Sequence, residues 1–133
     1  MTKQTRILSQ NKGKNATWIT TEDTKHIGYI AGTLNTWAAL KATEDIYYYP
    51  VQVIVFQYEV DNKDSAKELI KAITKTYVEK LVKVDNLQRG DYHYEVWQHP
   101  NPYWNSDAIR TLKSNLKFLG FSFDKIANTW DKQ

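Results

Sequence analysis

Arg110, Lys113 and Lys117 recur at i, i+3 and i+7, so a helix over about 107–119 would carry them as one basic stripe. Ile109, Leu112, Leu116 and Leu119 would form its apolar side. Such a stripe can hold phosphate oxygens. Arginine does so as a bidentate fork and lysine as a hydrated point charge. A second set is aromatic: Trp18, Tyr47, Tyr48, Tyr49, Tyr92, Tyr94, Trp97, Tyr103 and Trp104. Exposed rings interleaved with lysines are what single-stranded nucleic acid binding uses, because every base offers a face for stacking. Lys12 and Lys14, in the spacer Gln10 to Asn15, add cations near the first predicted strands.

The candidate binding residues are therefore Lys12, Lys14, Tyr48, Trp97, Tyr103, Trp104, Arg110, Lys113 and Lys117. The partner they fit first is nucleic acid, single-stranded slightly ahead of double-stranded. The competing reading is a protein-binding inhibitor or accessory protein of phage or mobile-element type that blocks a host nucleic-acid enzyme. Tyr and Trp are enriched among interface hot spots, so the same rings serve either reading.

Catalytic chemistry is not legible. There is no cysteine, which removes disulfides, thiolate metal ligands, iron–sulfur clusters and thiol nucleophiles. No Gly-x-Ser-x-Gly elbow occurs, and Lys12-Gly13-Lys14 lacks the leading glycine and the following Ser or Thr of a phosphate loop. His93 and Glu95 share one face of a predicted strand, with His99 close behind. A metal centre would need all three to converge, and their neighbours are Tyr and Trp. Histidines set beside aromatics are the simpler description, so no metal or cofactor is expected. The chain reads as a non-enzymatic binding protein.

These residues need elements to position them. Residues 4–9 and 16–20 have strand character and flank a spacer suited to a hairpin. Ile27 and Tyr29 alternate in a further strand, and residues 33–42 read as a short helix, with strand as the alternative. Ile46 to Val60 carries the strongest strand signal. Pairing should start after Pro50, and Val53 to Phe56 should be buried on both faces. A helix over about 65–84 follows from the spacing of Ala66, Leu69, Ile70, Ile73, Tyr77, Leu81 and Val84, with Ser65 and Glu68 as a capping box. Asp85 to Asp91 should turn the chain into a strand over Tyr92 to Trp97. The helix over 107–119, capped by Asn105 or Ser106, should end at Gly120 before a closing hairpin. A basic helix followed by a two-strand hairpin resembles the last piece of a winged-helix DNA reader. Here, however, a strand and a proline-rich junction precede the helix.

The expected fold is α+β, with an antiparallel or mixed sheet of about five to seven strands and both helices packed on one face. At 133 residues the chain is one domain, 1–133. The longest apolar run, Val53 to Phe56, is far short of the ~20 residues that span a bilayer. With no leader-like N-terminus and no cysteine, a cytoplasmic location is expected. The net charge of +3 is spread along the chain, and only three of the 18 basic residues are arginine. Charge alone therefore identifies no partner.

Overall fold

The computed structural model describes residues 16–21, 27–33, 37, 51–76, 80–101 and 107–132. Its centre is the segment with the highest density of β-branched and aromatic residues. This strand, β3 (Gln52–Glu59), is flanked by β2 (Ile27–Thr33) and β5 (Tyr92–Gln98), and it is buried from Val53 to Tyr58 because a core cluster covers each of its faces. Loss of alternation in the sequence thus corresponds to burial on both faces. With β1 (Thr17–Thr20), β4 (Val82–Arg89), β6 (Phe121–Asp124) and β7 (Thr129–Lys132), the sheet has seven strands in the order β4-β5-β3-β2-β1-β7-β6. Pairing is antiparallel throughout except for β1 with β7. That parallel pair joins the C-terminal hairpin to the N-terminal part of the sheet.

Two helices, α1 (Lys63–Thr74) and α2 (Ala108–Phe118), cover one face. Ala66, Ile70 and Ile73 of α1 and Ala108, Leu112 and Leu116 of α2 share a core with Ile19, Tyr29, Phe56, Tyr58, Trp97 and Trp130. The opposite face buries Ile30, Val53, Val55, Tyr94 and Val96, with Trp37 against them. The Trp37 indole donates to Asp85 Oδ2 on β4 at 2.6 Å. The α+β class and the single helical face are as the sequence implies.

The first helix is shorter than its apolar spacing predicts. It ends at Thr74 rather than near residue 84, and Leu81 and Val84 belong to the return and to β4. Thr74 turns its hydroxyl back onto the Ile70 carbonyl at 2.6 Å, a bond that competes with continued helix. Beyond it, Lys75 bridges to Lys80, and the Leu81 amide donates to the Thr74 carbonyl at 2.6 Å. Ser65 does not cap α1. The cap position is Asn62, without a side-chain bond, after a 3-10 turn over Val60–Asn62. The expected turn over 85–91 shrinks to Gly90-Asp91, with Gly90 at φ 60°, and β4 runs to Arg89. At α2 the cap is Asp107, not Asn105 or Ser106. The first strand of the expected N-terminal hairpin lies outside the described residues, as does the expected 33–42 helix apart from Trp37 and Thr33, which ends β2 rather than starting a helix. No helix among the described residues is long and apolar enough to cross a membrane.

Candidate nucleic-acid interface

Along α2, Ile109, Lys113 and Lys117 stand at i, i+4 and i+8 and form one row down the helix flank. Across from this row lie Thr17 of β1, Tyr29 of β2 and the β6–β7 hairpin. Between them opens a cleft of about 450 Å³ lined also by Phe123, Asn128 and Trp130. That volume lies toward the lower end of the roughly 300–1,000 Å³ range of ligand sites. The lining contains two lysines and no Asp or Glu. Its potential therefore favours an anion.

The aromatic wall is built by packing. Phe123 and Trp130 pair across the hairpin with ring centroids 5.1 Å apart and planes tilted by 46°. Trp130 is buried, whereas Phe123 keeps 44% of its surface exposed and lines the cleft. The Trp130 indole donates to the Tyr29 hydroxyl at 2.9 Å. Burial pushes the Tyr29 phenol up to about 12, although hydrogen bonding with Trp130 and Thr17 opposes the shift. It is neutral at any physiological pH and acts as a fixed polar post.

Asn128 clamps the hairpin to β1. Its φ of 59° is one that asparagine tolerates better than most side chains. Its Oδ1 accepts from the Thr17 hydroxyl at 3.1 Å, its Nδ2 donates to the Ala16 carbonyl at 2.9 Å, and its carbonyl accepts from the Trp18 amide at 3.2 Å. These three bonds fix the hairpin beside β1.

The predicted residues separate clearly. Arg110, Lys113 and Lys117 are exposed on α2 as the periodicity requires, but only the two lysines line the cleft. Arg110 is turned toward the helix start, where its Nε donates to Asp107 Oδ2 at 3.1 Å, while Asp107 Oδ1 caps the Arg110 amide at 2.9 Å. Trp97 is not an exposed stacking ring. It is only 6% exposed, and its indole donates to Glu95 Oε1 at 2.9 Å. Strand β5 is covered on both faces, so Tyr94 is buried as well, against Gln57 on the far side of the sheet. Lys12, Lys14, Tyr48, Tyr103 and Trp104 lie outside the described residues.

His93, Glu95 and His99 each make separate interactions. Glu95 is buried and accepts from Tyr58 at 2.8 Å as well as from Trp97. His93 stacks on Tyr58 with centroids 5.4 Å apart. His99 is turned away, its Nδ1 accepting from the Asn101 amide at 3.1 Å. Among the described residues no group of three His, Asp or Glu side chains could hold a metal ion.

Sequence reasoning missed Tyr29, Phe123, Asn128 and Trp130 as parts of a site. The nearest signal was the alternation of Phe121 and Phe123 after a basic helix, which places one ring beside that helix. No protein-family model, no curated protein and no solved structure matches this chain, so the geometry alone carries the functional reading.

Proposed function

We propose that the protein binds single-stranded nucleic acid at the cleft between α2 and the β6–β7 hairpin, without catalysing a reaction. The observation that carries this reading is the cleft itself, where Lys113 and Lys117 face an exposed phenylalanine ring and no acidic side chain intervenes. Lysines supply the sequence-independent attraction to phosphates, and Phe123 supplies a surface on which an unpaired base stacks. A paired base cannot leave its stack to reach that ring without an unstacking cost of roughly a few kcal/mol, which favours single strands. The setting that goes with this reading is the cytoplasm, away from membranes.

Fluorescence anisotropy with labelled single- and double-stranded oligonucleotides at low salt tests it. Single strands should bind more tightly than duplex. Phe123→Ala should weaken binding by about 1–3 kcal/mol, the usual worth of one stacked base. If neither form binds, or if Phe123→Ala and Lys113→Gln leave affinity unchanged in a folded protein, the proposal is wrong.

The protein-directed reading has one observation of its own. Phe118, at the end of α2, is 62% exposed, and Ile126, in the turn between β6 and β7, is 99% exposed. Exposed apolar side chains of that size are common at partner surfaces, but scattered singly they are also ordinary.

A further inference from the structure

Resting on that reading, we infer that the site is a short one, gripping two consecutive phosphates and one base, and that Asp107 limits it by holding Arg110 out of the contact. Three observations converge. Only Lys113 and Lys117 among the cations of α2 line the cleft, and they are one helical turn apart, about 6 Å along the axis. One ring, Phe123, is exposed in the wall, because its neighbour Trp130 is buried and hydrogen-bonded to Tyr29. The next cation on the same side of the helix, Arg110, is tied to the Asp107 carboxylate, which also adds a negative charge at that end.

The length of a phosphate track is readable from salt dependence. Each phosphate neutralised on a single strand contributes about −0.7 to the slope of log K against log salt. Two contacts give a slope near −1.4 by that relation, whereas a strand tracked along the whole molecule gives a much steeper one. Asn at position 107 keeps a side-chain oxygen to cap α2 but removes the charge that holds Arg110. Arg110 then adds a third contact on the same helix.

The experiment measures binding of fluorescein-labelled decathymidylate over a series of salt concentrations, for the wild-type protein, Asp107→Asn and Lys113→Gln, with thermal melts confirming that each variant is folded. Slopes near −1.4, −2.1 and −0.7 in that order are expected from about two, three and one phosphate contacts respectively. Trithymidylate should bind the wild-type protein nearly as well as the longer strand. A wild-type slope several-fold steeper, or an Asp107→Asn slope equal to wild type, overturns the two-phosphate site while leaving single-strand binding standing. Absence of binding by every form at low salt overturns the cleft reading as well.

Discussion

At the scale of residues, the interior holds polar groups whose satisfaction is uneven. Glu95 places a carboxylate in the core beside β3 and stabilises it with two neutral donors, Tyr58 and Trp97. Burial, and then the neighbouring carboxylate, push the Tyr58 phenol up. His93 has no such arrangement, and its Nε2 is enclosed without a hydrogen bond among the described residues. Its pKa is lowered, first by burial, then by Lys63 and Lys67 of α1, with Glu95 acting in the opposite direction. Tyr58 stacks on its ring, and Gln88 lies opposite it on β4. Because the folded value is below 6.5, the unfolded chain takes up this proton first as pH falls. The contribution of neutral His93 is therefore complete above 6.5 and is lost as pH falls from there to the folded value. Urea midpoints should drop more between pH 8 and pH 5 for wild type than for His93→Gln; parallel curves would show that His93 carries none of the acid sensitivity.

At the scale of elements, what was legible depended on whether one segment held the whole signal. The central strand declared itself through Val53 to Phe56, and α2 through its two stripes, one apolar and one basic. The end of α1 did not, because Leu81 and Val84 fall at helical spacing by coincidence while the Thr74 hydroxyl and the return over Lys75 and Lys80 stop the helix earlier. Trp97 was misplaced for a related reason. Alternation along β5 shows that two faces exist, but only helices on one side and the Val53, Val55 and Trp37 cluster on the other determine that both are covered. The cleft was half legible: its lysines lie on one helix, whereas Tyr29, Phe123 and Trp130 meet through the parallel pairing of β1 with β7, more than a hundred residues apart. The antiparallel pairing of β1 with β2 explains Gly28. A Cβ there would come within 2.6 Å of the Trp18 ring, which lies across the neighbouring strand. Gly28→Ala should cost about 1–3 kcal/mol in urea unfolding, the range for overpacking. In a Trp18→Ala background the same change should cost little. An additive double variant would show that the ring is not what reserves the position for glycine.

At the scale of the molecule, one face of a seven-stranded sheet is given over to two helices, and a cleft opens where the second helix meets the last hairpin. Among the described residues, Tyr29, Trp37, Phe56, Tyr58, Tyr94, Trp97, Phe121 and Trp130 are absorbed by the two cores. A net charge of +3 has the same character, with only a small part of it focused on a site. The most direct test of the central claim is a titration of the isotope-labelled protein with decathymidylate, followed by amide and indole chemical shifts. Binding at the cleft predicts shifts concentrated at Lys113, Lys117, Phe123, Asn128 and the Trp130 indole, with β4 unmoved. Shifts centred on β4 or on the α1 side of the sheet, or none at all at saturating oligonucleotide, would contradict it.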